Sequence, residues 1–157
     1  MTNPRLFTGL CFLLSLMLGG CESATVSMSS RMDGQIPAGK IGLAPGGGVL
    51  SDAIGVELFQ RGFDTMDSTQ SPTNIAAVKA EGIDTLLIVK AVGGYDSLPE
   101  AATIRIVQTS TGKTIAAINW QNGHGGMAGS IADRSMREGL VEAAKQIVDK
   151  LSLKLSK

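Results

Sequence analysis

The sequence predicts one α/β (α+β) domain behind a secretion leader, and three observations carry that prediction. Apolar strand-like runs alternate with helix-period segments between Lys40 and Trp120. Two of the runs, ATIRIVQT and TIAAINW, are joined by too few residues for a crossover helix, so they must pair antiparallel. The final stretch carries a single apolar stripe at spacings of three and four. The expected architecture is a mixed β-sheet of about five strands that includes this hairpin. An early helix, a short helix and a long C-terminal amphipathic helix pack against it.

The 157 residues are room for one compact domain. Fourteen basic and fourteen acidic side chains give a formal charge of zero, which excludes the cationic footprint of a nucleic-acid binder. One His and two Cys speak against a metal cluster, and neither metal nor cofactor is expected. With 4% aromatic residues and 20 glycines, the core must be aliphatic and the loops glycine-rich.

Residues 1–20 read as a leader. Arg5 supplies a positive start, Leu6 to Leu18 an apolar stretch too short to span a bilayer, and Gly19-Gly20 the small residues a signal peptidase needs. Leu18-Gly19-Gly20-Cys21 resembles a bacterial lipobox. In lipoproteins of that type the Cys becomes the first mature residue and carries diacylglycerol on its thiol and an acyl chain on its amine. Several chains together hold a protein on a membrane that one chain holds only marginally. Cleavage before Cys21 also removes Cys11, so no intramolecular disulfide is available to Cys21. Glu22 stands where inner-membrane lipoproteins of enteric bacteria carry Asp, so the resemblance implies the outer membrane, on its periplasmic face. Of the charged side chains the leader contains only Arg5, so the mature chain stays near neutral and anchoring has no basic patch behind it.

After the lipidated Cys21, residues 21–39 are Ser-rich and lack an apolar period, which predicts a flexible tether. The domain spans residues 40–157. Lys40 to Ala44 reads as a buried strand stopped by Pro45 and three glycines. A helix follows, capped by Ser51 or Asp52, with Ile54 and Leu58 on one face and Gly62 at its end. Phe63 to Met66 alternates as a short strand, Asn74 to Glu81 forms a short helix closed by Gly82, and Thr85 to Val92 is a strand covered on both faces apart from Lys90. The hairpin turns at Ser110 to Lys113. The terminal helix is expected from about Ser130, with Ser130 and Asp133 as a variant capping box and a stripe of Leu140, Ala144, Ile147, Val148, Leu151 and Leu155.

Candidate binding residues are few. Pro45 to Gly48 lies between strand and helix but matches no phosphate-binding fingerprint, and Gly112-Lys113-Thr114 leads into a strand and reads as a turn. His124, in a glycine-rich loop, is the one group suited to acid–base work near neutral pH. Ser130 and Asp133 follow it, yet they suit helix capping better than a triad, and no nucleophile elbow is present. No catalytic residue is assigned, and the expectation is a protein that is not an enzyme. His124, Trp120 and Tyr95 are the candidate contacts for a partner; the two aromatic residues serve this way if exposed and fill the core if buried.

The order of elements, with Gly62-Phe63 and Asp67, Gly82-Ile83-Asp84 and Thr111-Gly112-Lys113 at the element ends, resembles the amino-terminal domain of TolB and the related periplasmic domains of CsgG and of lipoprotein activators of penicillin-binding proteins. The resemblance covers nearly all of residues 40–155 and implies a binding and assembly module without catalytic residues. The chain is too short to hold the membrane-crossing hairpins of the curli channel, and it lacks a long proline-rich tether. The expected function is an outer-membrane lipoprotein with an unidentified envelope protein partner and no nucleic-acid partner. The class of process is secretion, flagellar or peptidoglycan-related. Self-assembly into a homo-oligomer is a further reading. The alternative is a small periplasmic hydrolase or ligand-binding protein built on the loop around His124.

Overall fold

The computed structural model of the chain describes residues 27–32, 35–37, 39–93, 98–122 and 137–156. Its strands are β1 (Ser27–Met32), β2 (Ile36–Pro37), β3 (Ile41–Leu43), β4 (Thr65–Asp67), β5 (Thr85–Gly93), β6 (Pro99–Gln108), β7 (Lys113–Gln121) and β8 (Leu155–Ser156). Its helices are α1 (Gly48–Gln60), α2 (Ile75–Ala80) and α3 (Leu140–Ser152). Six strands form one mixed sheet in the order β1-β7-β6-β5-β3-β4, and β2 pairs with β8 in a second, two-stranded sheet. The domain is thus the single mixed α/β unit that the alternation of runs predicts.

The sheet has a parallel half and an antiparallel half. β4 and β5 flank β3 and run parallel to it, while β5, β6, β7 and β1 form an antiparallel meander. The parallel strands need crossovers, which α1 and α2 supply. The two helices pack on opposite faces. α1 and α3 cover one face, where Leu50, Ile54, Leu58, Ala144, Ile147 and Val148 meet the inward residues of β3, β5, β6 and β7. Val78 of α2 packs with Ile83, Leu86, Ile88 and Val107 on the other. Burial on both sides explains why Thr85 to Val89 is a continuous buried run, whereas Lys90 onward is exposed.

Local chemistry explains the element ends. Asn74 caps α2, its side chain accepting from the Ala77 amide at 3.2 Å. Gly62, at φ +83°, ends the α1 segment in the left-handed region that a side chain would strain. The Gly112 amide donates to the Gln108 carbonyl at 2.8 Å and closes the β6–β7 turn, so Gly112-Lys113-Thr114 is a hairpin joint.

Three expectations are corrected. The tether expected over 21–39 is part of the fold in its second half: β1 pairs along β7, and Ile36 is buried beside β8. Met28 and Met32 alternate onto the core, opposite Trp120 and Ala116, but Ser29, Ser30 and Arg31 between them hide that period from a local reading. α1 starts earlier than a Ser51 or Asp52 cap implies. Gly47 is its N-cap, without a side-chain hydrogen bond, and Ser51 is buried inside the helix because the helix start docks on the sheet. The terminal helix carrying the apolar stripe starts at Leu140, with Gly139 as its cap. Ser130 and Asp133 lie outside the described residues. Leu155 leaves the stripe to pair with Ile36 in β8, although it still packs on the core.

One polar link joins α2 to the exit of β4. The Ser68 and Thr69 hydroxyls donate to the Glu81 carboxylate at 2.7 and 2.6 Å, and these bonds hold its pKa below the ordinary glutamate value. A depressed folded-state pKa contributes stability above the unfolded-state value and loses it as pH falls through the folded one. The difference in urea midpoint between the wild-type chain and Glu81→Gln should therefore shrink from pH 7 to pH 3. A difference that is constant over that interval would exclude an ionised Glu81 as the stabilising form.

Candidate functional site at the loop end of the sheet

Four chain segments meet at one end of the sheet. β3 and β5 finish there at Leu43 and Gly93, β6 starts there at Pro99, and β7 finishes there at Gln121. Gly46 to Gly48, residues 94–97 and residues 123–136 all attach at this end. The segments bearing Tyr95 and His124 therefore spring from neighbouring strand ends. Tyr95 and His124 themselves lie outside the described residues, as does Cys21.

The glycine loop has a packing explanation. A Cβ on Gly47 would stand 2.5 Å from the Ser51 Cβ and 3.2 Å from the Val89 Cβ, so only glycine lets the start of α1 approach β5 so closely. Between this loop, Ala91, Gly93 and Pro99 lies a cleft of about 210 Å³. That is below the roughly 300–1,000 Å³ usual for small-molecule sites. Among the described residues no titratable side chain lines it. Among the described residues no group of three or more His, Cys, Asp or Glu side chains could hold a metal ion.

The best-built polar feature at this end is a clamp that the sequence reading missed. Asn122 is buried, at 5% exposure, just past the end of β7. Its side-chain amide donates to the carbonyls of Pro99 and Glu138, each at 3.0 Å, and its carbonyl accepts from the Glu138 amide at 2.8 Å. The Asn122 amide also donates to the Glu100 carbonyl at 2.8 Å. Arg137, with a side chain 5% exposed, pairs with the Glu100 carboxylate at 3.0 Å. Residues 122 and 137–138 are thereby pinned together, which brings the two ends of the 14-residue stretch that carries His124 to one place. An Asn ending an alternating strand, ahead of glycines, was the available signal. Its partner at 138 is 16 residues away and has no local mark.

Trp120 is core. It is 1% exposed, and its indole N–H donates to Gln146 Oε1 of α3 at 3.0 Å. This corrects its candidacy as an exposed partner anchor. Strand parity was the usable signal, because Ala116, Ile118 and Trp120 share one face of β7 and the first two are apolar.

No family model and no curated protein matches the chain. Solved structures do. A point variant of PelC from Paraburkholderia phytofirmans, crystallised as a dodecamer, superposes with a TM-score of 0.56 at 14% identity, covering 83% of this chain and 98% of that one. The PelC dodecamer from the same organism in another crystal form gives 0.56 at 14%, covering 85% of this chain and 100% of that one. The chain is similar in fold to the PelC protomer. At this identity the likeness is one of fold.

Proposed function

We propose that this protein is a non-catalytic, lipid-anchored assembly module of the bacterial envelope. It is held on the periplasmic face of the outer membrane through Cys21, self-associates, and docks an envelope protein partner. The observation that carries the reading is the fold shared over nearly the whole length of PelC chains that are dodecamers. The lipobox resemblance at Leu18 to Cys21 and the resemblance to periplasmic assembly domains support the same compartment and class.

Cys21→Ser tests the anchor. The expected result is loss of palmitate labelling, retention of the leader by mass, and loss of the chain from the outer-membrane fraction. A Cys21→Ser chain that is still processed and still fractionates with the outer membrane would overturn it. Turnover of generic esters or phosphates that disappears in His124→Ala would favour the hydrolase alternative instead.

A further inference from the structure

Helix α1 is apolar on two sides. Leu50, Ile54 and Leu58 face the core, while Val49, Val56 and Phe59 are 60%, 57% and 70% exposed along a second stripe. A helix apolar all round is ordinarily a buried helix. Beside that stripe runs a groove of about 320 Å³ between α1 and β4, lined by Leu43, Gly55, Val56, Phe59 and Met66, with Asp52 and Asp67 as its charged members. It exists because Gly55 has no side chain: a Cβ there would lie 2.4 Å from Leu43 Cδ1. β4 is an outer strand of the sheet.

The other outer strand is β1, and together with α3, which packs on the sheet face beside α1, it presents the complementary surface. Met28 of β1 with Gln146 and Lys150 of α3 and Leu153 just past its end lines a groove of about 610 Å³, in which Leu153 is 76% exposed. Arg61, also in its lining, is ion-paired with Asp149 and Glu57, which leaves Lys150 as the charge without a counterpart in the lining. Lys154, just past α3, is exposed as well. One groove is thus apolar with two carboxylates, the other apolar with Lys150 as its net cation beside the Arg61–Asp149 pair. The strand directions agree as well. β1 runs opposite to β4, so two copies in the same orientation would bring β4 against β1 antiparallel.

From these surfaces we infer that a second copy of this chain covers the α1/β4 stripe with its own β1/α3 edge, in a head-to-tail contact. The inference rests on the self-association proposed above. Such a contact uses two different surfaces of each copy and so propagates until it closes into a ring.

The test uses the full chain purified in detergent and reads mass by sedimentation velocity. Wild type should run as an oligomer larger than a dimer. Val56→Glu with Phe59→Glu, and separately Lys150→Glu with Leu153→Glu, should each run as monomers with unchanged circular dichroism, while Phe59→Leu should still assemble. Mixing the two monomeric variants should yield a one-to-one dimer, since one intact α1/β4 stripe then meets one intact β1/α3 edge. A monomeric wild type overturns the inference and the proposed self-association together. A wild-type oligomer that survives the α1 substitutions overturns this interface alone. If the α1 variant is monomeric but the mixture forms no dimer, the contact is not head-to-tail.

Discussion

Replacing Trp120 with Ala should destabilise the domain by about 3–5 kcal/mol, the range for removing a buried Trp or Phe ring. The ring is 1% exposed and belongs to the core cluster between the sheet and α3. Its register partner on β6 is Ala102 and on β1 is Met28, so a large side chain sits opposite a small one across the β6–β7 ladder. Alanine would leave a cavity that Ala102 cannot fill. Trp120→Phe keeps most of the apolar area and gives up only the 3.0 Å bond to Gln146, a loss on the order of 1 kcal/mol. Urea denaturation followed by far-ultraviolet circular dichroism suits both variants, because the chain has no other Trp to report by fluorescence. An Ala variant within about 1 kcal/mol of wild type would mean that the ring is not packed between sheet and helix.

Asn122→Ala should be the most damaging polar substitution. It strands the Glu138 amide and carbonyl and the Pro99 carbonyl at a buried position. Each unsatisfied buried group costs roughly 1–3 kcal/mol, and partial access of water to neighbouring groups keeps the total to about 2–4 kcal/mol. The isosteric Asn122→Asp is informative about cause. It keeps the acceptor for Glu138 N–H but turns a carboxylate oxygen toward two carbonyl oxygens, so it should be at least as destabilising as Ala at pH 7. Protonation restores one donor, so its deficit against wild type should narrow at pH 3. Hydrogen exchange at the Glu138 and Ala143 amides locates the effect. If protection there is unchanged in Asn122→Ala, the clamp does not hold the start of α3.

Much of the fold was legible because its elements carry local periods. The apolar run of β5, the β-branched hairpin of β6 and β7, the short helix α2 and the stripe of α3 all appear where the pattern places them, within a few residues. The failures share a cause. β1 is a strand because its backbone pairs with β7, more than eighty residues on, and a Ser-rich hexamer with two methionines has too weak an alternation to announce it. The start of α1 is set by how closely Gly47 lets the helix approach β5, not by a capping side chain. The start of α3 is set by the Asn122 clamp, whose partners are non-local.

The candidate surfaces divide in the same way. The resemblance to a lipobox rests on a contiguous word, so Cys21 is proposed as the anchor without any coordinates. Trp120 was assigned to neither core nor surface by composition, and its burial follows from which face of β7 the helix α3 covers. The second apolar stripe of α1 is invisible to a reading that looks for one wet and one dry face, since Val49, Val56 and Phe59 look like more core. By itself the sequence determined a chain of locally periodic elements, and it carries a resemblance to a lipobox at Leu18 to Cys21. Tertiary structure alone decided which strand edges lie outermost, which aromatic is buried, and which side of α1 faces outward, because each of these depends on pairings between residues far apart in the chain.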